Sequence, residues 1–337
     1  MRRVLRTLWI RLFNSALVIA VLSVVVFGFM RMIPGDPILA LMGTEGITDA
    51  KLAEVKKELG LDRPLYVQYL SWAWHVLQGD FGRSIQNNEP VLPMLLERLK
   101  VTAELAVAAT ILGSSLGILI GVVSAVRRNT IFDSASMIGA LSGVSMPVFW
   151  LGIILIVGFS VKLDIFPTGG LVSHNTRLVA VTGFPLLDSL ITGQRAATVD
   201  ILKHMVLPTV TLAFAPAALV ARTTRASVLE VINEDYVNAG LARGLSFAGV
   251  VARHVMRNAL IPVVTIIGLE IGVYLGGSIV TESVFSYPGL GRYMMQGIMA
   301  NDYPVVQGAI ILYAAIIVVV NLVVDLSYSA IDPRVRS

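Results

Sequence analysis

Six long apolar runs dominate this 337-residue chain, at about residues 12–31, 101–126, 134–161, 204–221, 259–281 and 305–324. A hydrocarbon layer about 30 Å thick takes about 20 residues of helix to cross, and each run is near that length with little charge. Lipid offers backbone N–H and C=O groups no water, so a spanning segment must satisfy its own hydrogen bonds. Runs this long and uniformly apolar are helices rather than barrel strands. The expected fold class is an all-α integral membrane protein with six transmembrane helices. Its 55% hydrophobic and 14% charged residues and mean hydropathy of +0.78 lie outside the range of a water-soluble domain. Cysteine is absent, which excludes disulfides, thiolate catalysis and cysteine-ligated metals. The net charge of +4 comes from short basic clusters beside the apolar runs, a pattern of membrane topology rather than a nucleic-acid stripe.

Those clusters also orient the chain. Arg2, Arg3, Arg6 and Arg11 precede the first run, which ends in FGFMR at 27–31 without a small-x-small cleavage site, so it reads as a retained anchor. With both termini inside, the cytoplasmic segments hold these four together with Arg127, Arg128, Arg222, Arg225, Arg243, Arg253, Arg257, Arg334 and Arg336. The short external segments hold only Lys162, Arg177, Arg195, Lys203 and Arg292. The eight further basic residues of 31–100 flank a loop too long to count, and the excess inside predicts cytoplasmic termini.

Residues 32–100 form a large external segment after the first span. Asp49 can cap a helix that Gly60 ends, and Pro64 opens PLYVQYLSWAWHVLQGDFG, whose Tyr66, Tyr69, Trp72 and Trp74 suit a membrane interface. A second external loop covers 162–203, broken by Gly169, Gly170, Gly183 and Pro185; its size fits either an external docking partner or a solvated linker. Two glycine ladders, Gly113, Gly117 and Gly121 and then Gly268, Gly272 and Gly276, repeat every four residues and so fall on one helix face each. Such faces let a neighbouring backbone approach closely, and helix packing is the expected role.

Catalytic signals are weak. GSSLG at 113–117 matches G-x-S-x-G with Ser115 as nucleophile, but that motif needs a strand, a sharp turn and a helix, and here it lies inside an apolar run. His75, His174, His204 and His254 lack metal-ligand spacing; three are expected at the surface or interface and His254 in a cytoplasmic loop. No Gly-Lys dipeptide occurs, so the phosphate loop of ATP-binding chains is absent. Glu104 and Glu270 are the ionisable residues inside spans, with Glu282 and Asp325 near the edges; each serves either ion coupling or a structural role such as capping a neighbouring helix.

The cytoplasmic loop 222–258 has more to offer. It reads as two short helices divided near Gly244, with Ser246 capping the second. Within EDYVNAGLARG at 234–244, the small residues Ala239, Gly240, Ala242 and Gly244 suit a partner's groove, with Tyr236 and Val237 as apolar anchors. This stretch resembles the EAA loop by which permease subunits of bacterial ABC importers engage their ATPases. Asn238, Ala239 and Gly240 stand where a glutamate and two alanines usually stand, Gly244 matches the glycine, and RHVMRNALIP replaces the usual I-x-L-P ending.

The whole chain resembles the dipeptide and oligopeptide branch of that family. The likeness runs through PGDP (34–37), ELGLDRP (58–64), GDFGRS (79–84), PVFWLG (147–152), EDYVNAGLARGL (234–245) and RNALIPVVT (257–265). It continues through GGSIVTESVFSYPGLGR (276–292), DYPVVQG (302–308), NLVVD (321–325) and the final DPRVR.

The resemblance implies a type I ABC importer permease fold, a single permease domain over 1–337, residing in the bacterial inner membrane. It implies a second homologous permease subunit, two ATPase subunits that alone hold ATP and Mg, a periplasmic substrate-binding protein, and a peptide as cargo. This chain would hold no cofactor and catalyse nothing. Glu234, Asp235, Tyr236, Asn238, Ala239, Gly240, Ala242, Arg243 and Gly244 would form the ATPase-coupling loop. Similar permeases import glutathione or nickel, and a lone ion-coupled carrier is the reading from another class.

Overall fold

The computed structural model describes residues 2–32, 57 and 62–331. PGDP, Asp49, Gly60, most of ELGLDRP and DPRVR lie outside the described residues. The helices are α1 (Arg2–Met32), α2 (Leu65–Leu77), α3 (Val91–Val126), α4 (Ile131–Ser145), α5 (Val148–Leu155), α6 (Pro185–Ile191), α7 (Arg195–Val231) and α8 (Asp235–Ala242). They continue with α9 (Phe247–Val250), α10 (Met256–Gly277), α11 (Ile279–Val284), α12 (Leu290–Met299) and α13 (Tyr303–Ile331). Among the described residues, five helical stretches are long and apolar enough to cross a membrane, or six if the bent pair α4 and α5 counts as one.

The apolar run at 134–161 is not one straight span. α4 and the α5 stretch ending at Lys162 meet at 106°. Pro147 supplies no N–H to a continuing helix and holds the preceding residue extended, and Met146 sits at φ −82°, ψ 125°. Hydropathy alone passes over this break because both arms are equally apolar. Some helices outrun their apolar cores: α3 has 36 residues, about 54 Å of helix against about 30 Å of hydrocarbon.

The chain divides into two compact units, 1–101 with 288–318 and 102–287 with 319–337. In the first, the aromatic stretch folds as α2, opened by Pro64 as expected, and packs on the end of α1. Phe27 meets Tyr69 edge-on at 5.4 Å and Trp72 at 5.7 Å. Arg31 lies over the Phe27 ring and donates to Gln68 Oε1 at 3.0 and 3.1 Å. Tyr66 and Trp74 stay exposed, as an interfacial helix requires. Beyond α2, Ser84 Oγ donates to the buried Asp302 carboxylate at 2.5 Å, tying the 79–90 turn to the start of α13.

In the second unit, α3 and α10 both pack on α7. A Cβ added at Gly113, Gly117 or Gly121 would lie 3.1, 2.7 or 2.6 Å from the α7 carbonyl oxygens of Ala213, Ala217 and Ala221 in turn. The ladder is thus the stripe on which two backbones approach. Gly268 and Gly272 are buried in α10, Gly272 in ordinary contact with Val320. Gly276 lies on the same helix, with its surroundings outside the described residues.

Candidate functional site

Of the two short helices expected in 222–258, only α8 stands alone: residues 222–231 are the end of α7, and from Phe247 the chain runs helically through α9 and residues 251–255 into α10. α8 follows Glu234 and ends at Arg243, after which Gly244 takes φ +84°, the left-handed geometry of a helix-ending glycine. Ser246 caps α9, accepting from Gly249 N at 3.2 Å. The faces of α8 are the new information. Val237 and Gly240, three residues apart, turn inward; Val237 joins Ala125, Val228, Val250, Val255 and Ala259 in a buried cluster. Val237 is therefore an internal anchor of α8 rather than an apolar anchor for a partner, and Gly240 faces Val250 and Leu245 rather than a partner's groove. Asp235, Asn238, Ala239 and Ala242 share the outward face. Tyr236, exposed at its flank, accepts a hydrogen bond from Asn258 Nδ2 at 2.7 Å, and Leu245 and Phe247 stand exposed beyond Gly244.

A charged brace steadies the helix that leads into this element. Arg225 donates to Asp133 through Nε at 2.6 Å and Nη2 at 2.7 Å, a bidentate pair. Asn129 N also donates to Asp133 at 3.0 Å, while Thr130 accepts from Asp133 N, the reciprocal cap of a helix start. Reading Arg225 only as a topological charge missed this pair. Thr130 three residues before Asp133 is a local signal for the cap, but no local signal links positions 92 residues apart.

The candidates inside the apolar runs separate. Glu104 receives the backbone N–H groups of Leu186 and Leu187 at 3.1 and 3.0 Å and so caps the start of α6. Glu282 is fully buried, accepting from Thr102 Oγ1 at 2.7 Å and from Ser278 Oγ. Glu270 is half-buried and has no hydrogen bond or ion pair among the described residues. Ser115 lies in the uninterrupted helix α3, between two glycines packed on α7, so the geometry of a nucleophile elbow is missing there. His204 departs from expectation: it is buried, not interfacial, with Nδ1 2.8 Å from the Asp200 carbonyl.

The 162–203 loop, expected outside, is folded rather than a bare linker. Asp200 accepts from Ser173 N, Ser173 Oγ and Thr176 Oγ1. Asp188 accepts from Val181 N, Thr182 N, Thr182 Oγ1 and Gly183 N. Burial alone would raise the Asp188 pKa, but these donors outweigh it and hold the carboxyl down to about 2. Gly170 N donates to Phe285 O at 2.9 Å, and a Cβ on Gly169 would fall 2.1 Å from the same oxygen.

Residues 117–337 match the family model for the binding-protein-dependent transport system inner membrane component, and residues 4–106 match its N-terminal companion. The chain belongs to this permease family. It is 43% identical over 318 residues to the dipeptide transport system permease protein DppB of Escherichia coli K12, covering 94% of each chain. It is 41% identical to the di/tripeptide transport system permease protein DppB of Pseudomonas aeruginosa, over 93% of this chain and 94% of that one. The glutathione transport system permease protein GsiC of Escherichia coli O1:K1 is 40% identical over 94% of both. An inward-facing structure of the MetNI methionine ABC transporter superposes with a TM-score of 0.52 at 19% identity, covering 71% of this chain and 96% of that one. That likeness gives the type I permease fold. The permease is accordingly a multi-pass inner-membrane protein and a transport subunit rather than an enzyme.

Proposed function

We propose that this permease carries dipeptides or short oligopeptides inward across the inner membrane, as half of a heterodimeric pathway built with a second, homologous permease subunit. Two ATPase subunits bind and hydrolyse ATP with Mg, and a periplasmic binding protein delivers the peptide. Both termini and α8 lie on the cytoplasmic side, in keeping with the basic residues of the short loops. α8 docks on an ATPase through Asp235, Asn238, Ala239 and Ala242, flanked by Glu234, Tyr236, Arg243 and Gly244, while Val237 and Gly240 join it to the spans. Closure of the ATPase pair moves α8, and the cluster around Val237 carries that movement into α7 and α10.

The observation that carries the reading is the identity of 43% with a dipeptide permease over 94% of both chains. Affinity purification of the tagged chain from its native membrane tests the assembly, with a second permease and one or two ATPases expected by mass spectrometry. Uptake of a labelled dipeptide, lost on deleting the gene and restored by complementation, tests the cargo. The glutathione permease at 40% identity supports glutathione as a second reading. Gene-dependent uptake of labelled glutathione, competed by excess glutathione but not by dipeptide, would favour it.

A further inference from the structure

A cleft of about 590 Å³ opens within the first unit, between the 84–87 turn, α12 and the start of α13. Two of the stretches singled out in the sequence, GDFGRS and DYPVVQG, meet in its floor, where Ser84 and Asp302 are 4% and 2% exposed. Gln86 and Gln296 stand exposed at its rim, beside the thioethers of Met295 and Met299. An acidic floor thus lies under a rim of amides and soft apolar groups.

The charge of Asp302 is only partly answered. Its carboxylate accepts from Ser84 Oγ at 2.5 Å, and its other contacts, from Gln86 N and Val305 N, are both long at 3.4 Å. As the cap of α13 it meets the partial positive charge of a helix start, roughly half an elementary charge, so net negative charge remains under the cleft. Among the described residues no lysine or arginine pairs with it: Arg98 donates to the Pro288 carbonyl and lies over the Tyr293 ring, and Arg83 donates to the Asn88 carbonyl. A carboxylate so far from water is costly without an opposite charge. A bare metal ion would find one carboxylate in a space far larger than itself, and an anion would be repelled. A basic side chain fits: its head reaches Asp302, the Gln86 and Gln296 amide oxygens accept its remaining N–H groups, and Met295 and Met299 pack on its aliphatic stem.

We propose that this cleft docks the periplasmic binding protein, receiving a lysine or arginine side chain of that partner onto Asp302. The inference rests on the importer reading and the orientation above, which put residues 62–100 and the turn between α12 and α13 outside. Met299, 81% exposed, extends the contact beyond the cleft, as a protein partner requires. Asp302 caps a helix long and apolar enough to span, so a cation received there acts directly on the start of that span.

Titration of the dialanine-loaded binding protein against ATP hydrolysis by the complete importer in proteoliposomes tests this. Asp302→Asn keeps the size and the capping ability of the residue, and Gln296→Lys changes only an exposed rim position. Each should raise the half-stimulating concentration of binding protein by about tenfold or more, the loss of one charge-assisted contact. Unstimulated hydrolysis and the rate at saturation should be retained. Added salt should weaken docking of the wild type more than that of Asp302→Asn; equal weakening would mark Asp302 as a cap alone and overturn the proposal. Gln296→Lys, which leaves the floor intact, decides the matter where Asp302→Asn lowers the thermal transition. A wild-type titration curve for Gln296→Lys overturns this proposal alone, as does a defect confined to vesicles containing phosphatidylethanolamine, which would make the received cation a lipid headgroup. Labelling of Gln296→Cys by an impermeant maleimide only after permeabilisation overturns the orientation, and a wild-type importer unmoved by the loaded binding protein overturns the importer reading; this proposal falls with either.

Discussion

Gly117 and Gly121 are places where a single methyl group decides the distance between two helices. A Cβ there would stand 2.6–2.7 Å from α7 carbonyl oxygens, and backbone cannot swing aside as a side-chain tip can. Gly121→Ala should therefore lower the stability of the purified chain by about 1–3 kcal/mol, the usual range for overpacking. Gly139→Ala, whose new methyl would meet nothing within 4 Å, should leave the thermal transition in detergent unchanged. Asp188 is decisive for the 162–203 loop. Its folded pKa lies below its ordinary value, so its contribution is fully present above about pH 4 and is lost as pH falls through about 2. Asp188→Asn should abolish that acid dependence and speed amide exchange at Val181, Thr182 and Gly183 at neutral pH, with exchange elsewhere in the loop read as the control.

Among the elements, α8 divides its work between two faces. Val237→Ala truncates a fully buried side chain in the cluster below and should cost about 1–3 kcal/mol of stability. Ala239→Trp changes only the outward face. It should leave the thermal transition of the purified chain within about 0.5 kcal/mol while abolishing co-purification of the ATPases and peptide uptake. Uptake at the wild-type rate by that variant would sink the docking assignment. Gly244 is a poorer probe of docking, because its φ of +84° strains any side chain introduced there. The sequence places this element and both of its boundaries, Gly244 and Ser246, through turn and cap chemistry. It does not say which of its small residues look outward, since Val237 and Gly240 acquire their direction from Val250 and Val228, distant in the chain or beyond the turn.

For the whole molecule, the absence of cysteine makes orientation directly measurable. Single cysteines at His174, in the 162–203 loop, and Leu245, beyond α8, are both exposed positions. A membrane-impermeant maleimide added to intact spheroplasts should label His174→Cys at once and Leu245→Cys only after permeabilisation. The reverse pattern would invert the topology and remove α8 from the ATPases.

The apolar runs by themselves determined that this protein is a membrane-spanning helical bundle. The bilayer imposes segment length and self-satisfied backbone bonding whatever the neighbours are. Cap and turn residues likewise carried Pro64, Gly244 and Ser246 to their places. The tertiary structure alone decided which faces meet. In lipid the outside of a helix is as apolar as its packed side, so hydropathy carries no inward direction and cannot separate a helix that crosses from one that breaks at Pro147. It also decided the company of each buried polar group. Arg225 met Asp133 and Glu104 capped a helix 82 residues away, because such pairings depend on distances in space that spacing along the chain does not encode.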